Sequence, residues 1–213
     1  MKSFKNADGK SIVLRMIKVI QENKAYLSEI DGLIGDGDHG MNMNKGFTNC
    51  GQLLESQNFS FTESIDELGT ILFTEIGGSM GPIYGTIFMD MAEAANDAET
   101  IDGVLFLKML NASLSGLQEI VEAQVGDKTL IDTLCPAINA FDSAINSGKN
   151  FDEALDALKV ASEFGKSSTK DLVAKFGRSS RLGERTIGFL DAGAVSCNLI
   201  LQAMADGIKE LLA

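Results

Sequence analysis

The chain predicts an all-α fold in one domain. Apolar residues recur at three- and four-residue spacing along most of its length, and no segment sustains the period-two alternation of a half-buried strand. Only two prolines occur, and no long Gly/Ser-rich or charged linker divides the chain. Taken in order, Ile12, Val13, Met16, Ile17 and Ile20 form a first apolar face, on a segment that runs on towards Asp31. A polar, helix-compatible run opens just after Asp38. Ser60 followed by Glu63 has the form of a capping box ahead of Ile65, Leu68, Ile71 and Leu72. Gly77-Gly78 stops that helix and Ser79-Met80-Gly81-Pro82 opens the next, whose face is Tyr84, Ile87, Phe88, Met91 and Ala95. Thr100 is the expected cap of the stretch carrying Val104, Leu107, Leu110, Leu114, Leu117 and Val121. Further helices are expected over residues 129–145, 151–164, 169–176 and 194–212. The result is a single domain over residues 1–213, a bundle of about eight helices with a substantial core.

Eighteen basic against 30 acidic residues give a net charge of −12, which disfavours nucleic acid and anionic membrane as partners. Cys50, Cys135 and Cys197 are odd in number and widely spaced, which suggests neither a disulfide framework nor a zinc site. The first residues lack the apolar core of a signal peptide and no apolar run approaches membrane-spanning length, so a cytoplasmic protein is expected. Met41, Met43, Met89, Met91, Met109 and Met204 are expected to fill gaps in the core.

The chemistry is concentrated in residues 31–40, where Asp31, Asp36 and Asp38 stand among four glycines beside His39, the only histidine. Hard cations such as Mg²⁺ take oxygen ligands and keep waters, so a few carboxylates and the phosphates of a nucleotide make a natural set. The residues after Asp38 would supply a helix N-terminus, whose free N–H groups favour a phosphate. Asp-Gly-Asp runs also occur in ordinary solvated turns. An EF-hand loop starting at Asp36 would need a ligand at Gly40, a glycine at Met41 and a glutamate at Phe47, and none of the three fits. A Walker A loop fails as well, because Val160 precedes Gly165-Lys166-Ser167, and Phe4 precedes Gly9-Lys10-Ser11, where its first glycine belongs.

The run Gly35-Asp36-Gly37-Asp38-His39-Gly40-Met41-Asn42-Met43-Asn44-Lys45-Gly46-Phe47 resembles the signature of the ADP-binding L subunit of dihydroxyacetone kinase. Four more blocks match that family in order: Gly77-Gly78-Ser79-Met80-Gly81-Pro82, Gly126-Asp127-Lys128-Thr129, Gly177-Arg178, and Leu182-Gly183-Glu184-Arg185 running on to Asp191-Ala192-Gly193-Ala194. The resemblance implies an antiparallel barrel of eight helices with the site at one rim. It implies two Mg²⁺ ions on Asp31, Asp36 and Asp38, with Arg178 neutralising phosphate charge, and ADP or ATP beside His39, Gly40, Met41, Asn42, Gly78, Ser79, Met80, Thr129, Leu130, Arg178, Asp191, Ala192 and Gly193. Met80 stands where the family usually has serine, Ala192 where it has proline, Val121-Glu122-Ala123 where it has Gly-Lys-Ala, and Arg181 where an aromatic is common.

The same resemblance implies a subunit: bound ADP is recharged by a phosphohistidine carrier, the M subunit of a phosphotransferase system, and passes phosphate to dihydroxyacetone on a K subunit. His39 is assigned to binding, because a turn among three carboxylates suits an anionic phosphohistidine poorly. Two alternatives accompany this reading. One is an ATP-dependent kinase component, or a paralogue acting on another short ketose such as erythrulose. The other is a regulator that binds a transcription factor according to its phosphorylation state.

Overall fold

The computed structural model describes residues 2–213; Met1, the first residue of the expected domain, lies outside them. Nine α-helices form among the described residues: α1 (Lys10–Glu22), α2 (Lys24–Ile34), α3 (His39–Glu55), α4 (Phe61–Glu75), α5 (Met80–Glu93), α6 (Gly103–Ile120), α7 (Ile131–Asn146), α8 (Phe151–Ser168) and α9 (Ala192–Leu212). Helix α3 packs on α1 and α4, each helix from α4 to α8 packs on the next, and α8 packs on α9, which returns against α1. That closes a ring of eight helices, with α2 seated over α3 and α9.

Every helix buries one stripe in a continuous core. Phe106, Phe141 and Phe151 bring α6, α7 and α8 together at centroid distances of 5.4 to 6.0 Å. The capping box at α4 forms as expected, Glu63 N–H donating to Ser60 Oγ and Ser60 N–H to Glu63 Oε2. A second box, Asn150 with Glu153, opens α8.

The structure corrects the expected elements in four places. The helical segment from Ile12 towards Asp31 is two helices, broken at Asn23, whose side-chain amide donates to Val19 O at 2.8 Å alongside its own backbone N–H at 3.1 Å. Thr100 is no cap: residues Thr100–Asp102 pair antiparallel with Ser3–Lys5, and Asp102 caps α6 by accepting from Leu105 N–H. Three-residue strands are too short to carry a readable alternation. The expected helix over 169–176 is only a 3₁₀ turn, Thr169–Asp171, because its backbone is engaged elsewhere: Lys128 Nζ donates to Thr169 O, Gly188 N–H to Lys170 O and Lys175 N–H to Asp127 O. Met41, finally, is 53% exposed and fills no core gap.

One close crossing fixes the start of α3. A Cβ on Gly40 would lie 2.1 Å from Lys24 O and 2.7 Å from Ser28 N, so α2 and α3 touch backbone to backbone there. Gly40→Ala is expected to cost about 1–3 kcal/mol, since the backbone of α2 must move. Thermal unfolding without nucleotide checks this; an unchanged Tm would contradict the tight crossing.

Candidate functional site

The three carboxylates are gathered by the end of α2 and a glycine turn. Asp31 lies in the last turn of α2, Gly37 reverses the chain at φ +78, a conformation natural to glycine, and Asp38 precedes α3. One oxygen from each of Asp31, Asp36 and Asp38 then lies within 4.8 Å of the others. His39 N–H donates to Asp31 Oδ2 at 3.3 Å, and Arg178 forms an ion pair with Asp36. Three hard oxygen donors gathered from the end of α2 and the turn that follows it, with the Arg178 guanidinium paired to one of them, fit Mg²⁺ carrying part of its water shell.

This loop edges a cleft of about 1130 Å³. The first residues of four helices line it: His39 of α3, Met80 of α5, Ile131 of α7 and Ala192 of α9. Gly77, just past α4, and Ile120, the last residue of α6, line it as well. Alternate helices of the ring therefore run in opposite senses, and α3, α5, α7 and α9 aim their positive ends at one space. Four N-termini beside three carboxylates favour a ligand that brings both phosphates and metal. The lining also includes the apolar side chains of Phe73, Ile83, Ile120, Leu130 and Phe176, surface suited to a flat heteroaromatic ring.

All three aspartates line the cleft, as do His39, Asn42, Gly78, Ser79, Met80, Thr129, Leu130, Arg178, Asp191, Ala192 and Gly193. Gly40 and Met41 do not: Gly40 is spent on the contact with α2, and Met41 points to the outside. The departures at Met80, Val121-Glu122-Ala123 and Ala192 all fall on the cleft surface, whereas Arg181 does not reach it.

Two supporting carboxylates shape the wall. Asp132 is buried and accepts from Gly126 N–H at 2.6 Å and Thr129 N–H at 2.8 Å, holding a turn in which Lys128 adopts φ +62. Lys128 is itself buried and donates to Phe189 O and Thr169 O. Asp191 caps α9 through Ala194 N–H at 2.8 Å; burial pushes its carboxyl up to about 6, against that hydrogen bond and the charge of Lys128, which both pull it down.

Sequence reasoning missed the support of His39. Its Nε2 lies 2.8 Å from Ser196 Oγ on α9, and that oxygen lies 2.7 Å from the hydroxyl of Tyr84 on α5. Burial pushes the His39 imidazole down to about 4, so the ring is neutral at physiological pH. Tyr84 and Ser196 gave no signal in the sequence, because each sits at a core-facing position of an apolar helix.

The chain is similar to known proteins in sequence and in fold. Residues 33–206 match the DAK2 domain. The ADP-binding subunit DhaL of a PEP-dependent dihydroxyacetone kinase from Listeria innocua is 39% identical over 87% of this chain and 88% of its own length. The corresponding subunit of the PTS-dependent kinase of Lactococcus lactis is 36% identical, over 88% of this chain and 90% of the relative. The crystal structure of the dihydroxyacetone kinase of C. freundii in complex with AMP-PNP and Mg²⁺ shares the fold, with a TM-score of 0.72 at 22% identity; the match covers 94% of this chain and 34% of that one.

Proposed function

The chain belongs to the DAK2 domain family, and from that membership we propose that it is the ADP-binding, phosphoryl-transferring subunit of a dihydroxyacetone kinase fed by a phosphotransferase system. In this reading ADP stays on the subunit, receives phosphate from a phosphohistidine carrier of the M type and passes it to dihydroxyacetone on a K subunit. The observation that carries the reading is the meeting of four helix N-termini with the three-carboxylate loop in one cleft.

Phosphoryl transfer asks mainly for alignment and charge neutralisation. Asp31, Asp36 and Asp38 are the residues to hold two Mg²⁺ ions, which when bound supply positive charge to the phosphate oxygens. The N–H groups opening α3, α5 and α9 and the side chains of Asn42, Ser79 and Thr129 are available to the phosphates and ribose. Arg178 offers a planar fork of donors for the charge that develops during transfer. The apolar part of the lining takes the base. The site opens at the rim of the barrel, where both partner proteins must dock, and the reading puts the protein in the cytoplasm. No helix among the described residues is long and apolar enough to cross a membrane.

The test is reconstitution. The chain alone is expected to phosphorylate no sugar, whatever the donor, because His39 is its sole histidine and is held by Ser196. Adding a K subunit, the M-type carrier and phosphoenolpyruvate with its upstream enzymes should give turnover on dihydroxyacetone. Turnover with free ATP and no carrier would favour an ATP-dependent component, and activity of the isolated chain would refute the subunit reading.

A further inference from the structure

His39 sits at the mouth of α3 with its two ring nitrogens in different surroundings. Nε2 faces Ser196 Oγ at 2.8 Å, while Nδ1 has no hydrogen-bond partner among the described residues, on a ring that lines the cleft. Which nitrogen carries the proton decides whether the ring offers a ligand a donor or an acceptor, and the bond made by the other nitrogen sets it. Ser196 Oγ lies 2.7 Å from the Tyr84 hydroxyl, and both hydroxyls lie 3.2 Å from Gly193 O. Gly193 O lies inside α9, four residues before Cys197, where the helix ladder already supplies a donor.

The proton arrangements that satisfy the group fall into two sets, by which ring nitrogen is protonated. In one, His39 carries its proton on Nε2 and donates to Ser196, and either the serine proton goes to the engaged carbonyl while Tyr84 donates to Ser196, or Ser196 donates to Tyr84 and the tyrosine proton goes to that carbonyl, in both cases over a 3.2 Å contact. In the other, Tyr84 donates to Ser196 and Ser196 donates to Nε2, so each short contact holds one proton and the serine meets an imidazole nitrogen, a strong acceptor with no competing donor. Tyr84 is fully buried and burial holds its hydroxyl well above the usual range, so it remains a donor. Asp38, next in the chain, and Asp31, bonded to the His39 amide, add negative potential that favours a proton on the ring's cleft side.

We propose that Tyr84 and Ser196 are positioning residues: the relay from Tyr84 to Ser196 to Nε2 favours a proton on Nδ1 of His39, which presents a hydrogen-bond donor to an anionic ligand oxygen in the cleft. The identity of that oxygen as nucleotide phosphate rests on the function proposed above; the tautomer does not.

The single histidine makes the test direct, because the full chain labelled with [¹⁵N]histidine gives one imidazole spin system in long-range ¹H–¹⁵N correlation spectra. The nucleotide-free protein at neutral pH is expected to show a protonated Nδ1 and a bare Nε2. Ser196→Ala and Tyr84→Phe should each shift the ring towards the Nε2–H or a mixed form, whereas Ser196→Thr should keep Nδ1–H. Losing the competent tautomer should weaken ADP–Mg²⁺ binding about two- to fivefold in the alanine variant, with the threonine variant recovering it. If Ser196→Ala fails to fold, Tyr84→Phe, which removes only an oxygen, carries the test. A wild-type protein with Nε2–H, or a tautomer unmoved in both Ser196→Ala and Tyr84→Phe, would overturn the relay. Protonated Nδ1 in a protein that binds no nucleotide would uphold the relay and count against the nucleotide reading.

Discussion

Replacing Asp36 or Asp38 with alanine is expected to abolish ADP retention and the thermal shift that ADP–Mg²⁺ produces. Each change removes one of three carboxylates whose oxygens lie within 4.8 Å of one another, and Mg²⁺ tolerates incomplete coordination poorly. A ligand at about a hundred times its dissociation constant stabilises the folded state by about 2.7 kcal/mol, so the wild-type shift is several degrees. The variants should show none of it. Their nucleotide-free stability should stay within about 0.5 kcal/mol of wild type, because Asp36 is exposed, Asp38 is only half-buried and neither side chain caps α3. Asp36→Ala also frees Arg178, whose ion pair at the surface contributes little. If both variants kept the wild-type shift, the loop would be only a solvated turn.

The second large effect is expected at Arg178. Its guanidinium reaches the carboxylate loop from the turn after Gly177, and a fork of donors aimed at a transferring phosphate is commonly worth about 10³-fold or more in rate. Arg178→Ala in the reconstituted system should lower kcat by about that factor while the nucleotide remains bound through the aspartates and helix N-termini. Arg178→Lys should recover only part, since an ammonium cannot contact two phosphate oxygens in one plane. A variant that loses nucleotide and activity together would make Arg178 a binding residue only.

How legible the molecule was in its sequence followed the range of the forces involved. The capping box at Ser60, the helix opening after Asp38 and the stop at Gly77-Gly78 are local chemistry, and each is where the residues placed it. Residues 169–176 carry a helical pattern, yet the buried Lys128 and the 186–188 turn claim their backbone groups, and no local rule foresees that competition. Thr100 misled for a similar reason, since the partner of its strand lies almost a hundred residues away.

The site divides in the same way. The aspartate triplet stands out by its spacing, which an ordinary solvated turn shares, and its assignment to metal came from the family resemblance. The convergence of Ser79, Thr129, Arg178 and Asp191 on that triplet came only from the family resemblance, because nothing local in those blocks says which helix ends share a rim. The closed ring supplies the reason: alternate helices run in opposite senses, so α3, α5, α7 and α9 start at one end. Tyr84 and Ser196 stayed hidden because a polar atom on a core-facing stripe looks like packing until its partners are known.

The central claim, a cleft built for a nucleotide held with Mg²⁺, is tested most directly by the nucleotide content of the purified protein. Protein prepared in Mg²⁺, desalted, heat-denatured and examined by chromatography is expected to release ADP at close to one per chain, and chelation of the metal before desalting should strip it. Protein that neither carries ADP nor binds it when offered with Mg²⁺ would contradict the account.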